Sequence, residues 1–90
     1  MVSRELEFRG INRNHLGMYF EELGGTQKTD NFPILYKGNS WSGEILQEKE
    51  IAFTPNFKVN AVQVRFTAQG EDELEELIKR YRYKTTRVGG

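Results

Sequence analysis

Cysteine is absent from this 90-residue chain. A disulfide framework, a thiolate nucleophile, a persulfide carrier and a cysteine-type zinc site are therefore all excluded, and the fold must stand on packing alone. Histidine occurs once, at His15, so no second imidazole can share a metal with it. Net charge is missing as well, with 13 Lys and Arg against 13 Asp and Glu. That balance argues against the broad positive field of a general nucleic-acid binder and leaves room only for a local basic patch. There is no apolar run long enough to span a bilayer, and Met1-Val-Ser-Arg4 does not read as a charged-then-apolar leader, so the expectation is a cytoplasmic protein without a membrane segment. Nucleophile-base pairs, metal clusters and phosphate loops do not stand out either, and no cofactor is implied.

What is present is a pattern of strands and helices. Ninety residues give one domain, 1–90, that buries only roughly 60 to 65 per cent of its unfolded surface; one Trp, four Tyr and six Phe enlarge that modest core. Glu5-Leu-Glu-Phe-Arg9 alternates with period two, which places Leu6 and Phe8 on a core face. Asn12 is a suitable N-cap, Leu16, Tyr19, Phe20 and Leu23 form one helical stripe, and Gly24-Gly25 stops it. Thr26 to Asn31 reads as polar loop. Phe32, Ile34 and Tyr36 alternate along a second strand, Trp41, Gly43 and Ile45 along a third, and Ile51 and Phe53 along a fourth. Gln47 to Glu50 is expected as a charged turn between the last two, Thr54-Pro-Asn56 as the next turn, and Val62, Val64 and Phe66 as the fifth strand. Phe57 to Asn60 either extends that strand or approaches it through a bulge.

A second helix follows Gly70, with Leu74, Leu77, Ile78 and Tyr81 as its stripe. Glu71-Asp-Glu73 crowds its start and Lys79, Arg80, Arg82 and Lys84 its end, as the helix dipole favours; residues 83–90 lack a helical period and read as a short strand or a flexible tail. A shift of 58 positions superposes Leu6, Phe8, Leu16, Tyr19, Phe20 and Leu23 on Val64, Phe66, Leu74, Leu77, Ile78 and Tyr81. Two similar strand-to-helix units joined by a meander give an α+β fold, a five-stranded antiparallel sheet with two helices on one face in the order β-α-β-β-β-β-α.

The run Glu5-Leu-Glu-Phe-Arg-Gly-Ile-Asn-Arg-Asn-His15, the Glu22-Leu-Gly-Gly25 stop, the element order and the end Arg87-Val-Gly-Gly90 together resemble the uncharacterised domain found behind MoaD-like proteins. Those proteins are relatives of the small subunit of molybdopterin synthase. The resemblance implies a TBP-like fold and a neighbourhood of molybdenum cofactor biosynthesis or sulfur transfer. It supplies no catalytic residue, and the ubiquitin-like domain of the fused arrangement is not among these residues.

Arg9, Asn12, Arg13 and His15 gather around one helix start, where side chains and free amides can hold a small anionic ligand such as phosphate or carboxylate. A solvated loop and cap is the plainer alternative. As a catalytic residue His15 has no visible partner, and a surface histidine is favoured over a general base acting with Arg9 or Arg13 on an anionic substrate. Trp41 is expected to pack under the Gly38 hairpin. The face away from the helices carries Glu5, Glu7, Arg9, Lys37, Ser42, Glu44, Gln63, Arg65 and Thr67, a solvated surface that can also receive a protein partner; a homodimer is compatible with the pattern. Gly89-Gly90 has the form of a sulfur-carrier tail, where unhindered glycines enter an activating enzyme and present a carboxylate. The leading expectation is a noncatalytic binding or accessory module.

Overall fold

Alternating strand residues and two amphipathic stripes produce seven elements in the computed structural model, which describes residues 1–89, with side chains through Thr86. They are β1 (Val2–Arg9), α1 (Arg13–Glu22), β2 (Thr26–Gln27), β3 (Ile34–Lys37), β4 (Trp41–Thr54), β5 (Phe57–Ala68) and α2 (Glu71–Gly89). The strands form one antiparallel sheet in the spatial order β1-β5-β4-β3-β2, and both helices pack on the same face. The expected α+β order is present, although the strands are divided differently. Gln47 to Glu50 is not a turn: it lies inside the 14-residue β4. Charged residues do not end a strand whose backbone stays paired with its neighbour, and the reversal comes only at Pro55-Asn56. The remaining strand is β2, taken from the stretch expected as loop, whose Thr26 and Gln27 pair with Lys37 and Tyr36.

Other boundaries shift for local reasons. β3 begins at Ile34, because Phe32 and Pro33, joined by a cis peptide bond, sit before it in the turn. Thr29 organises that turn by donating from Oγ1 to the Pro33 carbonyl (2.8 Å) and accepting from the Leu35 amide (2.9 Å). Phe57 to Asn60 extends β5. The stretch after Tyr83 continues α2 through Gly89, so Lys79, Arg80, Arg82 and Lys84 lie along the middle of the helix rather than at its end. Two of these cations form ion pairs there, Arg80 with Glu76 (3.1 Å) and Lys84 with Glu22 of α1 (2.7 Å).

The two strand-to-helix units meet directly. Leu6 lies opposite Val64 and Phe8 opposite Val62, which sets the following helices side by side over the strand pair. Leu16, Phe20, Val62, Val64, Phe66, Leu74 and Tyr81 are fully buried between them, while Leu6 and Leu23 are only partly buried at the margin. Gly24 ends α1 at φ +98°, a conformation that glycine adopts without penalty. Phe20 is stacked on Tyr36 and on Trp41, with ring centroids 5.4 and 5.7 Å apart. The indole therefore packs inward beside Gly38, as its position in the hairpin suggests. Gly43 lies under Phe20 so closely that a Cβ there would collide with the ring.

Two variants test this packing. Gly43→Ala should destabilise the fold by about 1–3 kcal/mol through overpacking. Tyr81→Phe, which keeps the ring and removes a hydroxyl that donates to the Leu16 carbonyl at 2.7 Å, should cost about 1 kcal/mol. Urea unfolding followed by tryptophan fluorescence measures both; a Gly43→Ala protein as stable as the parent would contradict the close approach.

Candidate functional site

The helix start is built from three parts of the chain. Asn12 adopts extended backbone, and its Oδ1 accepts from the His15 amide at 3.0 Å, which confirms it as the N-cap. β4 delivers the second part. Its pairing with β5 slips between Ile45 and Gln47, so Leu46 is an extra residue, and the side chains beyond it exchange faces. Glu48 is thereby turned toward the helices, while Ile51, six residues after the buried Ile45, goes to the opposite face. From there Glu48 Oε2 accepts from the Arg13 amide at 3.1 Å, and the Arg13 Nε lies 3.7 Å from Oε1. Asn60 of β5 is the third part: its Nδ2 donates to Glu48 Oε2 (2.8 Å) and to the Ile11 carbonyl (3.0 Å), and its own carbonyl accepts from Gly10 (2.9 Å).

A carboxylate belonging to the chain thus holds the anion position at the positive end of α1. The four residues grouped from sequence divide accordingly. Asn12 and Arg13 stand together, with the Arg13 guanidinium also over the exposed Phe32 ring at 5.1 Å. His15 is exposed one turn along, and among the described residues its ring makes no hydrogen bond or ion pair. Arg9 projects from the other face of the sheet, where it pairs with Glu7 and lies 5.9 Å from the Phe53 ring. Gly89 is the last residue of α2, and Gly90 lies outside the described residues.

The open face carries an ordered polar row instead. Arg65 on β5 stands between Glu5 of β1 and Glu44 of β4, at 3.5 and 3.3 Å. Gln63 donates to Glu7 (2.9 Å), and the Ser3 and Thr67 hydroxyls are bonded at 2.9 Å. The hydrogen bond from Arg9, with the nearby charges of Arg9 and Lys49, holds the Glu7 carboxyl below its usual value of 4.5 against a smaller effect of burial. Sequence periodicity places these residues on one face correctly. It misses Glu48, because the β4 bulge that turns it inward leaves Leu46 as its only trace, and Asn60, because its partners Ile11 and Glu48 are remote in sequence.

Over residues 4–90 the chain matches the family of archaeal MoaD-like proteins. It belongs to that family. No curated protein matches it. Among the described residues of this MoaD-like chain, no helix is long and apolar enough to cross a membrane.

Removing the internal carboxylate should expose the anion position. Glu48→Ala is expected to cost about 1–2 kcal/mol, because the Arg13 amide and Asn60 lose a charged acceptor. Added phosphate should then raise the melting temperature of the variant and leave that of the parent unchanged; an equal rise in both would show that the site is open in the parent. Glu7 offers a pH test. Its folded pKa is depressed, so its contribution to stability is present above the unfolded value and is lost as pH falls through the folded one. Carboxyl NMR titration should give a midpoint below 4.5 for Glu7, moving upward in Arg9→Gln.

Proposed function

We propose that the chain is a noncatalytic binding or accessory domain working beside molybdopterin cofactor biosynthesis or sulfur transfer, and that it receives a protein partner on the open face of its sheet. One observation carries this reading. Both helices cover the same side, and the other side of β1, β5 and β4 presents Arg65 fixed between Glu5 and Glu44 with no element over it among the described residues. An antiparallel face with its charges held in register offers a partner a fixed pattern to match. Membership of the archaeal MoaD-like family supports the biological neighbourhood. The element order and the two helices on one face support the TBP-like description that the resemblance implies. A small anionic ligand at Arg65 is the lesser alternative, since two carboxylates already flank that cation.

The test is an amide NMR titration of the chain with purified molybdopterin synthase large subunit and with the adenylating enzyme of the same pathway. Binding should perturb residues of β1, β5 and β4 on the open face, and Arg65→Gln should weaken it by about tenfold, the loss expected for one desolvated charge pair. Perturbation confined to the helices, or none with either protein, would sink the proposal.

Membership of the archaeal MoaD-like family also favours a second reading, a carrier modified at Gly89-Gly90. It requires the last turn of α2 to unwind, and glycine, a poor helix former, lowers the cost of doing so. Incubation with the adenylating enzyme, ATP and a sulfur donor should then add an adenylate or thiocarboxylate mass at Gly90. Normal function after deletion of both glycines would exclude it.

A further inference from the structure

Among the described residues β1 is the outermost strand of the sheet, and its eight residues run the length of the core with β5 on one side only. On its free side, alternate backbone N–H and C=O groups face outward, a template for another strand. The opposite edge, β2, is two residues long and offers little of this kind. The side chains of β1 have a definite pattern. Val2, Arg4 and Leu6 lie toward the helices, Arg4 paired with Glu71 at 3.5 Å and Val2 and Leu6 only partly buried against the core. Glu5 and Glu7 lie toward the open face, where Arg65 and Arg9 pair with them from within the chain and each keeps lone pairs for a cation on the free side.

A second copy of the chain is a poor occupant. A continuous sheet made by pairing β1 with its twin requires a two-fold axis perpendicular to the sheet, so residues of the same face must lie opposite one another. The two registers that overlap most of the strand follow from its sequence. One places Glu5 opposite Glu5 and Arg4 opposite Leu6; the other places Glu5 opposite Glu7 twice, around a central Leu6 pair. Both oppose carboxylates directly across the strands, an arrangement that destabilises pairing. The charges that discourage self-pairing favour a strand of the complementary pattern.

From this we infer that the free edge of β1 is a docking site for an extended segment of a partner protein, with basic residues opposite Glu5 and Glu7 and apolar residues between them. The apolar residues would cover Val2 and Leu6 and extend the core past the present edge. Backbone hydrogen bonds would supply affinity, and the carboxylate spacing would supply register. The inference rests on the binding-module reading but uses the edge of the sheet rather than its open face.

A short blocked peptide in which lysine alternates with valine serves as the probe, beside a peptide in which glutamate replaces lysine. With the full chain, the lysine peptide should shift β1 amide resonances and slow hydrogen exchange at alternate β1 residues, and the glutamate peptide should do neither. Glu5→Gln/Glu7→Gln should weaken binding by roughly fivefold, the effect of two exposed cross-strand charge pairs. N-methylation of one alternating set of peptide amides should abolish binding and methylation of the other set should spare it, an arm that leaves the protein unaltered. Equal binding of both peptides, no binding at millimolar peptide, or self-association of the free chain with protection of β1 would each overturn the inference. Shifts at Arg65 and Glu44 without protection of β1 would also overturn it while leaving the open-face reading intact; loss of partner binding in Arg65→Gln with normal peptide binding would separate the two in the other direction.

Discussion

The structure depends on the seating of Tyr81. Its ring lies 4.5 Å from Phe20, 5.0 Å from Phe66 and 5.5 Å from Phe8, so α2, α1, β5 and β1 meet around one side chain. Its hydroxyl donates to the Leu16 carbonyl of α1 at 2.7 Å. A phenol in an apolar core is tolerated only with such a partner, and burial, with lesser effects of Tyr36 and Tyr19, raises its pKa well above the usual value of 10. The group remains a neutral donor over the ordinary pH range. Tyr81 thereby fixes both the separation of the helices and the rotation of α2 about its axis. Phe20 extends the same cluster to Tyr36 and Trp41, which is why Gly43 and Gly17 can carry no side chain: each lies beneath one of these aromatic groups.

The bulge at Leu46 is the second organising constraint. Without it, alternation along β4 would carry the phase of Trp41, Gly43 and Ile45 onward, with Glu48 toward solvent and Ile51 toward the helices. With it, β4 presents the Glu48 carboxylate where α1 begins its free amides, although that position is remote in sequence. The same phase change leaves Ile51 and Val59 as a cross-strand pair on the open face of a ribbon that runs beyond β1 and β3. Phe53 and Phe57, with ring centroids 5.9 Å apart, lie near its tip, 53 and 57 per cent exposed. A two-stranded ribbon of this kind has no core of its own. Its contact with the body runs through Arg9 over Phe53 and through the network of Glu48, Arg13 and Asn60 at its base.

Much of this was legible in the chain because it follows from period and local chemistry. The stripes of both helices, the Asn12 cap, the Gly24 stop, the inward Trp41 and the polar face around Arg65 each need only nearby residues to be inferred. What escaped depends on events without a local signature. Thr26 and Gln27 are strand only because Tyr36 and Lys37 are beside them, and residues 83–89 are helical as a continuation of α2 although they lack a stripe of their own. Gln47 to Glu50 carries the composition of a turn, yet its backbone is paired with β5 throughout. Arg9 stands apart from Arg13 and His15 for a simple geometric reason. Gly10 and Ile11 carry the chain from one face of the sheet to the other, so residues four apart in sequence stand on opposite sides of it.

These two constraints together move the functional question from the helix start to the sheet. An N-terminus that already holds a hydrogen-bonded carboxylate can take an external anion only by expelling Glu48, and the expelled group would leave Asn60 and the Arg13 amide to be satisfied anew. The exchange gives up charged hydrogen bonds to gain similar ones, so it offers little net affinity. On the open face no such exchange is needed. Glu5, Arg65 and Glu44 are exposed enough to be reached, and their mutual pairing fixes positions rather than consuming every donor and acceptor: a guanidinium has five donors, and each carboxylate retains further lone pairs. These contacts therefore favour the proposed reading, a surface that presents a fixed row of alternating charge to a partner, over a pocket that captures a free ion.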